Sequence, residues 1–161
     1  VTGVSASTLS FMLLGLGVAG FVGTFLIERF IGNGLYRTLT VIPLIMAVIA
    51  VALVSVGASP LLTALLLGLW GLVATAAPVG WWTWLAQTLP DDAEAGGGLL
   101  VAIVQLAIAG GAIIGGLVFD LSGYKATFEL SACVLLGASV LAWLAGRYAT
   151  EVHPSEANAT A

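Results

Sequence analysis

Charge is what this sequence most lacks. Lysine and arginine together number 4 and aspartate and glutamate 8 in 161 residues, so 7% of the chain is charged, against about 25% in soluble domains. With 60% hydrophobic residues and a mean hydropathy of +1.15, its apolar surface is too large to hide in one soluble core. The few bases form no patch suited to nucleic acid. The net charge of −4 comes from loop and tail acids such as Asp91, Asp92, Glu94, Glu151 and Glu156. Cysteine is nearly absent too: Cys133 alone excludes an intrachain disulfide and a multi-cysteine metal site, and its place in an apolar run reads as a small buried hydrophobe. The single histidine, His153, lies in a polar tail, and the apolar runs hold no paired acids, so the groups an intramembrane enzyme needs are lacking. No enzyme activity, metal or cofactor is expected. The opening "VTGVSAST" has neither an initiator Met nor a basic segment ahead of a short apolar one. It is read as the interior of a longer protein.

What the sequence does have is long apolar runs. Five of them, at about 9–27, 39–56, 61–85, 99–119 and 127–146, reach or approach the roughly 17 to 25 residues that cross a hydrocarbon core of about 30 Å. They lack the apolar–polar alternation of barrel strands, which leaves helices as the spanning structure. The expected fold class is all-α and polytopic, with a transmembrane bundle over 1–148 and a polar cytoplasmic tail over 149–161. Five crossings put Arg29, Arg37 and Arg147 on one side and Lys125 on the other, so the positive-inside rule makes the C-terminus cytoplasmic.

Glycine is abundant, with 21 residues. Gly15, Ala19 and Gly23 recur every fourth position in the first run, and Ala107, Gly111 and Gly115 do so in the fourth, with Gly110 and Gly116 beside them. Small residues at this spacing let helix backbones touch in lipid. Two readings stay open, a tight static bundle and a surface on which bundles rock. Further on, Asp120, Gly123 and Lys125 put an acid at a helix end, a glycine for the turn and a base just after it, a pattern able to clamp a short loop.

The stretch "GLWGLVATAAPVGWWTWLAQTLPDDAEAGGGLLVAIVQLAIAGGAIIGGLVFDLSGYKATF" resembles the C-terminal half of a major facilitator superfamily transporter. Within that superfamily it is most similar to the drug/proton antiporter branch, and especially to the purine ribonucleoside efflux pumps. The likeness rests on Pro78 to Trp81, Trp84, Glu94, Val101 to Leu106 and Gly115 to Asp120. It implies that the five helices are numbers eight to twelve, forming most of the C-terminal six-helix bundle, in a bacterial-type inner membrane. It also implies proton-driven efflux by alternating access, with the N-terminal half as the partner that carries the titrating groups. The superfamily's Gly-x-x-x-Asp-Arg-x-Gly-Arg loop is poorly kept in "GTFLIERFIGNGLYR": Glu28 and Arg29 stand for the acid–base pair, but the glycine spacing differs. They read equally as interfacial charges.

The third run ends in a cluster of tryptophans. A span of about 20 residues from Leu61 ends near Gly80, which leaves Trp81, Trp82 and Trp84 at an aromatic belt. Alternatively, Thr63, Trp70, Ala74, Ala77, Trp81 and Trp84 share a helical stripe that could line a slot, with Pro78 bending the helix to turn Trp81 inward. Gln105 is an amide within an apolar span, where a polar group faces a helix partner or a wet cavity. The expected cavity residues are therefore Gln105, Trp81, Trp70 and Thr75, with Thr83 and Gln87 as weaker candidates, and Gly15, Gly23, Pro78, Gly111, Gly115 and Gly116 as packing or hinge positions. Flat indoles and a carboxamide suit a small, neutral, planar solute with polar edges. The partners expected are that solute, protons and the bilayer; sugar or drug efflux and a non-transporting five-helix structural protein are the alternatives.

Overall fold

The computed structural model of the chain describes residues 5–32 and 34–152, without the side chains of 150–152. Of the expected polar tail, 149–152 continue the last helix and 153–161 lie outside the described residues. All regular structure among them is helical: α1 (Ala6–Ile31), α2 (Leu35–Val56), α3 (Pro60–Ala74), α4 (Ala76–Thr88) and α5 (Ala93–Val152). Helix starts follow the local chemistry. Ser5 caps α1 by accepting from the Thr8 amide, and Ser59 caps α3, where Pro60 fills the first helical position.

Two interruptions shape the chain. α3 stops at Ala74 and α4 begins at Ala76, with Thr75 between them. Pro78 lies four residues beyond Ala74; it has no amide proton for that carbonyl, and its ring crowds it, so the ladder breaks there. In α5 the break is Gly123, with φ 78° and ψ −178°. A Cβ placed on Gly115 would stand 4.0 Å from Thr127 Cγ2, whereas 12 residues of unbroken helix would separate the two positions by about 18 Å. The chain therefore doubles back at Gly123, and α5 consists of a first arm, 93–122, and a second arm, 124–152. The Thr127 hydroxyl donates to the Gly123 carbonyl at 3.2 Å across the turn. Asp120 and Lys125 flank the turn exposed, and no ion pair joins them among the described residues. That backbone conformation is open essentially to glycine alone. Gly123→Ala is therefore expected to destabilise the protein by about 1 to 3 kcal/mol, read as a lower unfolding midpoint in detergent.

Packing divides into two pairs. α1 crosses α3 where glycines remove the side-chain layer: a Cβ on Gly23 would collide with the Leu72 carbonyl, and one on Gly71 with the Leu16 carbonyl. The Thr75 hydroxyl reaches across to the Gly20 carbonyl at 2.7 Å, while also lying 2.9 Å from its own helix's Gly71 carbonyl. Ile27, Ile42, Val73 and Ala76 pack beside this crossing. Of the expected glycine positions, Gly23 is in this contact, whereas Gly15, Gly111 and Gly116 meet open space.

The second pair is α2 with the second arm of α5. Ala47 and Ala50 pack on Ala132, Ser139 donates to the Thr40 carbonyl at 2.8 Å, and Gly146 makes room for the Tyr36 ring. The register is antiparallel. Gly32 and Gly34, the turn at 89–92 and the end of α5 consequently share one end of the bundle with Arg29, Arg37 and Arg147, while Gly57 to Ser59 and Gly123 share the other with Lys125 and the exposed Glu129. Glu28, exposed, lies in the last turn of α1, where its carbonyl accepts from the Gly32 amide.

Candidate functional site

The first arm of α5 leans on α4 near the 89–92 turn and separates from it farther along. Near the turn, glycine permits close approach: the Trp82 ring lies over Gly97, and Leu85 over Gly96, at positions where a Cβ would stand 3.2 Å and 2.9 Å from those side chains. Beyond it the helices diverge around a cleft of about 320 Å³, a size that suits a small organic solute. Ala74, Ala77, Pro78, Trp81 and Trp82 form one wall; Leu100, Val101, Val104 and Gln105 form the other.

Trp81 is held by its neighbour. Its ring meets that of Trp84 edge to face, with centroids 5.8 Å apart and planes at 81°. Trp84 in turn points into the bundle, donating from Nε1 to the Tyr36 hydroxyl at 3.2 Å and packing beside Leu35, Leu39 and Ala142. Trp82, adjacent in a helix that turns by about 100° per residue, presents a second indole to the same cleft. Opposite stands Gln105, whose carboxamide takes no hydrogen-bond partner among the described residues. Such an amide offers two donors and an acceptor to whatever enters. The cleft thus combines two aromatic faces, small or aliphatic surfaces and one neutral polar group.

The structure gathers some of the expected residues and separates others. Trp81 and Gln105 face each other across the cleft, with Pro78 in its wall. Trp70 packs instead against the Ala47, Ala50 and Ala132 cluster between α2 and the second arm of α5. Thr75 ties α3 to α1 through the Gly20 carbonyl. Of the stripe from Thr63 to Trp84, Ala74, Ala77 and Trp81 line the cleft together across the break at Thr75, whereas Trp70 and Trp84 meet other parts of the bundle. Trp82, Val101 and Val104 were not among the expected site residues. The signal for Trp82 was the glycine run at 96–98, which leaves space for a ring on the facing helix.

This chain resembles curated proteins along most of its length. It is 54% identical over 147 residues to a protein of Pseudomonas aeruginosa named transcription regulatory protein OpdE, an alignment covering 91% of this chain and 37% of that one. It is 35% identical over 136 residues to the purine ribonucleoside efflux pump NepI of Salmonella enteritidis, covering 84% of this chain and 34% of the pump. With the pump of the same name from Escherichia coli, identity is again 35%, over 141 residues. The chain is similar to efflux pumps. It spans about a third of the length of these relatives. No protein-family model matches the sequence, and no solved structure matches it. The pump relatives are named as transporters rather than enzymes, and the helices here are long and apolar enough to cross a membrane.

Proposed function

We propose that this chain is the C-terminal part of a major facilitator type exporter that moves a small, neutral, planar solute, such as a purine ribonucleoside, outward by alternating access in exchange for protons. The observation that carries this reading is the cleft in which Trp81 and Trp82 face the Gln105 carboxamide. Indoles stack on a base regardless of its identity, and a carboxamide can bond the base edge or a ribose hydroxyl. The name of the pump relatives, purine ribonucleoside efflux pump, supports the substrate class.

In this reading residues 1–148 are the last five helices of a twelve-helix protein, 149–161 are a cytoplasmic tail, and the remaining helices close the open side of the cleft and carry the protons. The end holding Arg29, Arg37 and Arg147 faces the cytoplasm of a bacterial-type inner membrane. The test is uptake of labelled inosine by everted vesicles that contain the protein in its natural full length. Uptake that requires an imposed proton gradient and stops when the gradient is collapsed is the expected result. Its absence from protein shown to be inserted and folded would overturn the substrate assignment.

A second reading comes from the Pseudomonas relative, whose name assigns it to transcription regulation. With 4 Lys and Arg in 161 residues, three of them at one end of membrane helices, contact with DNA is poorly served. We infer that an effect of this protein on transcription would follow from movement of a small effector. A transcript profile that a transport-dead variant leaves unchanged would contradict that.

A further inference from the structure

A second cleft, separated from the first by the Trp84–Tyr36 contact, lies at the arginine-bearing end of the bundle, where the start of α2 meets the end of α5. It measures about 310 Å³ and is lined by Tyr36, Arg37 and Val41 on α2 and by Trp143, Gly146 and Arg147 on α5. Two guanidinium groups from separate helices border this one space, and no acidic side chain lines it among the described residues. Arg147 is seated over the Trp143 indole, 4.9 Å from the ring centroid. A cation so placed is held in position yet keeps its N–H groups free to bind. The Tyr36 hydroxyl already accepts from Trp84 Nε1, which leaves its own proton for another partner. α2 begins at Gly34 with no side-chain cap and no acid in its first turn, so among the described residues no acid of that turn offsets the positive helix end beside Arg37.

We propose that this cleft binds the phosphate of an anionic phospholipid headgroup. Planar guanidiniums bind phosphate oxygens in pairs, which makes arginine better suited than lysine to this contact. Lipid is favoured over a soluble anion by what lies next to the charges. Val41 is 39% exposed and Trp143 48% exposed, and both line the cleft with apolar surface at the end of membrane-length helices. An acyl chain covers that surface; free phosphate leaves it bare. The cleft also spans the joint between two helices that Ser139 and Thr40 stitch together below it, so an occupant bridges both. Basic pockets between membrane helices are where anionic headgroups settle.

The test is a lipid titration of the full-length protein in neutral detergent, read by native mass spectrometry and by thermal midpoint, comparing phosphatidylglycerol with phosphatidylcholine. The expected result is about tenfold tighter binding of phosphatidylglycerol, a preference that R37Q/R147Q abolishes and R37K/R147K keeps in part. Should the double variant fail to fold, R37Q and R147Q singly, each expected to weaken phosphatidylglycerol binding by about fivefold, decide the matter. An undiminished preference in the Gln variants, or no preference in the wild type, would overturn the site. Inorganic phosphate reproducing the arginine-dependent stabilisation in phosphatidylcholine would also overturn it, by making the occupant a soluble anion.

Discussion

Trp81→Ala in the full-length protein is expected to raise the half-saturating concentration for inosine uptake by about tenfold or more, with a smaller change in maximal rate. Stacking a base on an aromatic ring contributes about 1 to 3 kcal/mol by alanine substitution, and that contact is made as soon as the solute binds. Trp81→Phe keeps an aromatic face and should recover most of the loss. Gln105→Ala removes one or two neutral hydrogen bonds at about 0.5 to 1.5 kcal/mol each, so its effect should be similar or somewhat smaller. Concentration dependence in vesicles distinguishes the outcomes. Unchanged half-saturation in Trp81→Ala would remove the indole from the proposed slot, whatever the substrate.

The second large effect concerns folding. A Cβ on Gly23 would run into the Leu72 backbone, which cannot rotate away as a side chain would, whereas one on Gly15 meets nothing within 4 Å. Gly23→Ala should therefore cost about 1 to 3 kcal/mol and lower the yield of monodisperse protein, and Gly15→Ala should be tolerated. Equal behaviour of the two variants in size-exclusion profiles and thermal midpoints would mean that α1 and α3 do not meet as closely as described.

The helical class was legible from hydropathy, since runs at 9–27 and 39–56 reappear within α1 and α2 with ends extended by a few residues. Run length carries that information because the bilayer sets it. Other features were less legible, for identifiable reasons. The bend attributed to Pro78 falls at Thr75, because a proline disturbs the carbonyl four residues earlier. Periodicity grouped Ala74, Ala77 and Trp81 correctly, but it could not show that Trp70, on the same stripe, is taken up by the Ala47, Ala50 and Ala132 cluster of neighbouring helices. Glycine spacing pointed to Gly15 and Gly23 on one stripe, but the crossing angle of α1 and α3 brings Gly20 and Gly23 into contact instead. Crossing angles depend on the partner helix, which a one-helix pattern does not contain. Gln105 stood out in the sequence because an amide in an apolar span needs a reason. The arginine cleft did not, because its two guanidiniums are separated by most of the chain.

The two walls of the tryptophan cleft differ in how much of the fold depends on them. The α4 wall continues into the crossing with α1 and into the Trp84–Tyr36 contact, so changes there propagate into the packed bundle. The wall built by Leu100, Val101, Val104 and Gln105 belongs to an arm whose residues 98–122 are nearly all exposed and form none of the buried clusters. In the proposed function, the solute contacts on this arm lie apart in sequence from the glycine crossing and the alanine seam. In that reading, substitutions along the arm change the solute contacts while the glycine crossing and the alanine seam stay as they are.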